Sequence, residues 1–148
     1  MFQKIIYGYF LAIKGLEWTR PGFELGVRLY VAWIFFKSGL VKIQSWDTTV
    51  MLFEYEYNVP FLSPHLAAVL GTAAEFILPA LFLLGLGGRL SVIALFVFNL
   101  VAVISYPDIS PAGIQQHMLW GFMLIMLFFY GFGKLSLDHM ISSRLNNY

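Results

Sequence analysis

The stretch LAAVLGTAAEFILPALFLLGLGGRLSVIALFVFNLVAVISY, residues 66–106, decides the fold. It holds two apolar runs on either side of GLGGR at 85–89, and its only charged residues are Glu75 and Arg89. A membrane helix needs about 20 mostly apolar residues, so 66–86 predicts one span and 89–106, slightly short, predicts another. Glycine adopts the positive φ values of a tight turn at little cost, which makes the two runs an antiparallel hairpin. A core helix of a soluble protein shows a polar stripe at about the 3.6-residue helical period. The run 89–106 is apolar on nearly every face, which argues against that reading.

Working outward, two more runs have the same character. Residues 117–132, HMLWGFMLIMLFFYGF, predict a span after the hairpin, and residues 24–43, containing RLYVAWIFFKSGLVKI, predict one before it despite Arg28, Lys37 and Lys42. The expected fold is all-α, a four-helix transmembrane bundle. Charge asymmetry orients it. Lys4, Lys14 and Arg20 precede the first run, Arg89 opens the third, and Lys134 and Arg144 follow the fourth. The connections 44–65 and 107–116 carry no Lys or Arg and hold Asp47, Glu54, Glu56 and Asp108. By the positive-inside rule both termini are cytoplasmic. Phe2, Ile5, Ile6, Tyr9, Ile13 and Leu16 recur at helical spacing, predicting an interfacial N-terminal helix. The longer outer connection between the first two spans, rich in aromatics, predicts a short helix on the outer surface or folded back as a lid.

Composition agrees. Hydrophobic residues make up 59% and charged residues 11% of the 148-residue chain, with 15 Phe, 8 Tyr and 4 Trp. A domain of this size buries only about 60–70% of its chain surface, too little to hide so much apolar area from water. One domain over 1–148 and a multi-pass location in the bacterial inner membrane follow. The net charge of +1 with no basic cluster excludes nucleic acid as partner; lipid, other membrane subunits or a homo-oligomer are the expected partners. Cysteine is absent, which excludes disulfide exchange, thiol nucleophiles and iron–sulfur ligation. The apolar start is broken by Lys14 and Glu17 without a small-residue cleavage site, so no cleaved signal peptide is expected.

Ionisable residues at bilayer depth cost about 2.5–3.5 kcal/mol each on insertion scales, so they face the protein interior or water. Glu75 lies about 16 Å and Lys37 about 20 Å from the inner face at about 1.5 Å per residue, which suggests a Lys37–Glu75 pair with Asn99 completing the cluster. Helical arithmetic also places Arg28, Gly39 and Lys42 on one face of their helix and Lys37 nearly opposite. Arg28 and Lys42 could each snorkel to a membrane surface. Pro79, one turn after Glu75, deprives the Glu75 carbonyl of its helical amide partner, and irregular backbone in a span marks a cavity. Glu75, Lys37, Asn99, Arg28 and Lys42 are therefore the ligand-pocket candidates. Trp46, Tyr55, Tyr57, Tyr106, His117 and Trp120 are candidates for its outer entrance. His65 and His117 lie at similar depth, yet without a ligand-spacing motif, so a metal or haem site is disfavoured. Gly39, Ala67 and Gly71 allow close helix approach. No P-loop, GxSxG or GxGxxG motif is present.

Arg28, Gly39 and Lys42, followed by Glu75 in GTAAEFILPALFLLGLGGR and Asn99 in LFVFNLVAVISYP, resemble the DoxX/DoxD family of small bacterial membrane proteins over about residues 24–134. The resemblance implies four membrane helices. The family takes its name from a small subunit of an archaeal terminal quinol oxidase linked to thiosulfate:quinone oxidoreduction, and many bacterial members have no assigned activity. Some of those are associated with oxidative stress, others with gene clusters for metal stress and ribosomally made peptides. WDTTVMLFEYEYNVPFLSP and HMLWG look like that last group. The resemblance implies less about function than about fold; the mid-membrane carboxylate beside a proline-opened carbonyl is what points to an accessory membrane protein binding quinone or another small apolar ligand for a redox or stress-response system. The alternatives are a transporter or export helper acting as an oligomer, and a structural scaffold of a membrane complex. No motif decides whether the chain is an enzyme.

Overall fold

Ser–Pro pairs start two of the central helices, and a glycine ends one of them. The computed structural model describes residues 2–133 and 135–145, all of its regular structure helical. It has α1 (Phe2–Gln44), α2 (Trp46–Tyr55), α3 (Pro64–Leu84), α4 (Gly88–Ile104), α5 (Pro111–Tyr130) and α6 (Leu137–Leu145). Pro64 and Pro111 occupy first-turn positions where their missing N–H is not needed. The Ser110 hydroxyl caps α5 by accepting from the Gly113 amide at 3.1 Å. α3 ends at Gly85 with φ +68°. There the Leu86 amide donates to Leu81 and the Gly85 amide to Phe82, the paired closure that a left-handed C-terminal glycine permits.

Two features depart from the sequence expectation. The chain is not a four-helix transmembrane bundle: among the described residues there are six helices, and only α3 and α5 are long and apolar enough to cross a membrane. α4 is apolar but has 17 residues, about 26 Å at about 1.5 Å per residue. The stretch 24–43 carries too many charges, and it is no separate helix, being the second half of the 43-residue α1. The placement of both termini on the cytoplasmic side is read from charges flanking four spans, two of which are not long and apolar enough to cross. Nor is there a separate interfacial helix at the N-terminus. Residues 2–23 are the first half of the continuous α1, with every side chain exposed except the half-buried Ile13 and Pro21. Lys134, one of the cations used to orient the chain, lies outside the described residues.

The packing inverts that of a water-soluble protein. Glu24, Arg28, Thr72, Glu75, Ser91 and Asn99 are buried, while Leu90, Val97, Phe122 and Phe129 stand exposed on the outer faces. Polar groups inside and apolar side chains outside suit a hydrocarbon surrounding. The core between the helices is Val31, Phe35, Phe82, Leu95, Leu124 and Leu127. One end is bound together by α1. The fully buried Arg28 donates to the Leu83 carbonyl at the C-terminal end of α3 at 3.2 Å and also to the Leu135 carbonyl, with its guanidinium 5.2 Å from the Phe132 ring centre. A cation is favoured at such a helix end. Arg20 pairs with Glu24 at 2.7 Å and donates to the Tyr130 carbonyl at 3.0 Å, which joins α1 to the end of α5.

At the other end α2 folds back over α3. Phe53 packs on Ala67 and Ala68, and its ring lies so close to Gly71 that an added Cβ there would approach it to 3.3 Å. The Thr49 hydroxyl donates to the Lys42 carbonyl at 2.9 Å, and the Asn58 amide to the Ser105 carbonyl at 2.7 Å. These bonds hold the α2–α3 connection across the ends of α1 and α4.

Candidate functional site

Gly39 brings α1 against α3. With no side chain of its own it lets the Phe76 ring and the Glu75 Cβ lie where a Cβ would meet them at 2.9 and 3.2 Å. That contact sets the register between the two helices, so Ser38 and Lys42 fall beside Glu75. Lys42 Nζ reaches Glu75 Oε1 at 2.5 Å and Ser38 Oγ at 3.0 Å, and Ser38 Oγ donates to the same Oε1 at 3.0 Å. Both bonds to Glu75 converge on one carboxylate oxygen. The other, Oε2, is buried and has no hydrogen-bond partner among the described residues.

Glu75 lines a cavity of about 380 Å³ enclosed by α1, α2, α3, α4 and α5. Most of its wall is apolar, including Ile34, Phe35, Phe53, Leu70 and Phe98. Polar groups come from Ser38, Lys42, Tyr57, Ser105, Tyr106, His117 and Trp120. Like Glu75 Oε2, both Trp120 Nε1 and Ser105 Oγ are buried without a partner among the described residues. Buried polar atoms are nearly always hydrogen-bonded, so three unmet ones around one space are a signal. Tyr57 stacks on Phe53 with ring centres 4.8 Å apart and lies 5.1 Å from Tyr106, so the three rings form one aromatic wall of the cavity beneath the α2–α3 connection. Burial first, then the charges of Glu75, Tyr106 and Glu56, push the Tyr57 phenol above its usual value. It therefore keeps its proton and can donate.

Asn99 fixes the opposite wall. Its Nδ2 donates to the His117 carbonyl at 3.0 Å, so its Oδ1 is the atom that accepts from His117 Nδ1 at 2.8 Å. Nδ1 thus carries the imidazole proton and Nε2 is left as an acceptor. The ring stands edge-on to Trp120 at 4.6 Å, and Trp120 meets Phe35 at 6.0 Å.

Of the residues singled out in the sequence, Glu75, Lys42, Tyr57, Tyr106, His117 and Trp120 line one cavity. Lys37 does not pair with Glu75. It is exposed on the other side of α1, and Lys42 occupies the carboxylate instead. Arg28 neither snorkels nor reaches the cavity, being buried at the far end of the helices. Asn99 acts on the cavity through His117. Trp46 packs beside Phe53, and Tyr55 is 80% exposed and points away. His65 is exposed and apart from His117, and among the described residues no three His, Asp or Glu side chains gather as a metal site. Ser38 and Ser105 escaped sequence reasoning. Ser38 was within reach of it, since it lies one turn before Lys42 on the same face; Ser105, at the end of a helix, carries no such signal.

A DoxX family model matches residues 23–107, more than half of the chain. The chain belongs to the DoxX family. The matched segment contains Arg28, Gly39, Lys42, Glu75 and Asn99, and hence the ion pair and the contact that sets its register. His117 and Trp120, the α5 wall of the cavity, lie beyond it. No curated protein and no solved structure matches the chain at a significant level. This DoxX chain is a small helical membrane-associated protein, and its exposed apolar helices are consistent with contact with lipid.

Proposed function

We propose that this DoxX protein binds a small, largely apolar molecule with a hydrogen-bonding ring, of which a quinone or quinol is the leading candidate, and serves as an accessory protein of a redox or stress-response system in the bacterial inner membrane. In this reading it crosses the membrane more than once, and 1–148 is one domain whose family core continues through α5 to about residue 134. The observation that carries the reading is Glu75 Oε2, buried and unpartnered on an apolar cavity that also holds the unpartnered Trp120 N–H. A ring hydroxyl supplies the donor that the carboxylate lacks, and a ring oxygen supplies the acceptor that the indole lacks. Lys42 and Ser38 hold the other carboxylate oxygen in place, so Glu75 meets the ligand with one fixed atom. Phe35 and Phe53 give the ring apolar surroundings.

A partner subunit or second copy lying along α1 is supported by Lys37. It is exposed between Trp33 and Val41 on an otherwise apolar face, near the level of Glu75, where a bare ammonium costs about 2.5–3.5 kcal/mol on insertion scales.

The test is a titration of the purified protein in lipid nanodiscs with a chain-free dimethoxy-methyl-benzoquinone and its reduced form, beside a mass-spectrometric inventory of what the protein retains. Glu75→Gln should weaken the reduced form by about tenfold or more, the scale of a hydrogen bond to a charged group. Trp120→Phe should weaken both forms by about fivefold, the scale of a neutral one. Wild-type affinity in both variants at wild-type protein levels sinks the assignment.

A further inference from the structure

A second apolar hollow, of about 240 Å³, lies between α4 and α5 on the outer surface. Its rim is Leu100, Ile104, Met118, Phe122 and Ile125, all exposed on the faces that meet lipid. Its floor is Asn99, Phe96 and Gly121. Gly121 keeps the floor thin: it is buried, and a Cβ there would sit 3.5 Å from the Phe96 ring and 3.7 Å from the Asn99 amide. Among the described residues just one, His117, lines both this groove and the inner cavity. The partition between lipid and the Glu75 cavity therefore includes a single imidazole held by one side-chain hydrogen bond, to Asn99.

We infer that the α4–α5 groove seats the apolar chain of a membrane-dissolved ligand whose polar ring occupies the inner cavity, with His117 at the passage between them. This deepens the reading above and rests on it. The groove suits one extended chain. Its only polar side chains are Asn99 and His117, and the Asn99 amide is already spent on His117. The groove wall is thus almost wholly apolar and offers a head group little to bind, while the cavity supplies unmet polar atoms. Head and chain sort by chemistry to the two sides of His117. A ligand dissolved in the bilayer would then reach Glu75 sideways from lipid without crossing into water. The chemical class follows: an isoprenoid- or alkyl-substituted ring with hydroxyl or carbonyl groups.

The test compares two probes in the same nanodiscs, the chain-free dimethoxy-methyl-benzoquinone and its decyl derivative, on wild type, Leu100→Trp and Met118→Trp. Each substitution fills the groove from a different helix at an exposed position, so a folding failure in one leaves the other. Using one lipid for every protein cancels the partitioning of the decyl chain. Both variants should weaken the decyl compound by about fivefold, the scale of losing many small dispersion contacts, and leave the chain-free compound unchanged. Unchanged decyl affinity in the variants, with chain-free binding intact, overturns the groove and spares the cavity. Equal weakening of both compounds also overturns it, since the variants then act on the cavity. Absence of chain-free binding in the wild type overturns the cavity reading and the groove with it.

Discussion

Lys37 and Lys42 share one helix and have opposite surroundings. At about 100° per residue they are separated by about 140° of rotation, so when Lys42 faces Glu75 its neighbour must face out. The pair is enclosed: the Lys42 and Glu75 side chains are 14% and 9% exposed. Removing one partner of a buried pair strands the other charge, whereas removing both is often neutral. Lys42→Met is thus expected to destabilise the protein by about 3 kcal/mol, measured by denaturant titration in mixed micelles. Adding Glu75→Gln to Lys42→Met should restore most of that loss. If the two substitutions simply add, the carboxylate is not the reason Lys42 matters. The face shared by Gly39 and Lys42 was legible in the sequence from spacing alone. The choice of Lys37 over Lys42 as partner came from ranking residues by depth, which treats a helix as a line and ignores where each side chain points.

Between helices, the same register depends on a missing side chain. The Cβ that Gly39→Ala adds would come within 2.9 Å of the Phe76 ring and 3.2 Å of the Glu75 Cβ. The ring can rotate aside, but the Cβ moves only with the α3 backbone. Gly39→Ala should therefore cost about 1–3 kcal/mol, the usual range for overpacking, and loosen the Lys42–Glu75 contact. Phe76→Leu in the Gly39→Ala background should recover part of the stability, because it removes the ring but leaves the Glu75 Cβ in place. No loss in the single variant, followed by melting of the solubilised protein, would contradict the close approach. The helical character of 66–86, 89–106 and 117–132 could be read from unbroken apolar runs, and the turn at 85–89 from its glycines. The length of α1 could not. Pro21 and the charges around it look like a boundary, yet the helix passes through them, since a proline there removes one backbone hydrogen bond while Arg20 ties the same turn to the Tyr130 carbonyl. Nor does composition show which polar atoms go unpaired. Thr72, Ser105 and Trp120 acquire that status only when the helices meet.

At the scale of the whole molecule, the arrangement of exposed and buried residues makes a claim about surroundings that can be read out directly. α3 has 21 residues and α5 has 20, lengths of about 32 and 30 Å at about 1.5 Å per residue, against a hydrocarbon core about 30 Å thick. Each matches the bilayer without much tilt. The ends of α3 are then expected to lie on opposite sides of the membrane, and likewise those of α5. The chain contains no cysteine, so any thiol introduced is the only one. Phe61→Cys precedes α3 and Arg89→Cys follows it; Asp108→Cys precedes α5 and Tyr130→Cys ends it. All four positions are exposed, and none lines the cavity or the groove. In sealed vesicles of one orientation, a membrane-impermeant maleimide should label one member of each pair from outside and the other only after permeabilisation. Labelling of Phe61→Cys and Arg89→Cys from the same side would mean that α3 does not cross. Glu75, near the middle of α3, would then meet water or another protein instead of lipid depth, and the polar interior would need a different cause.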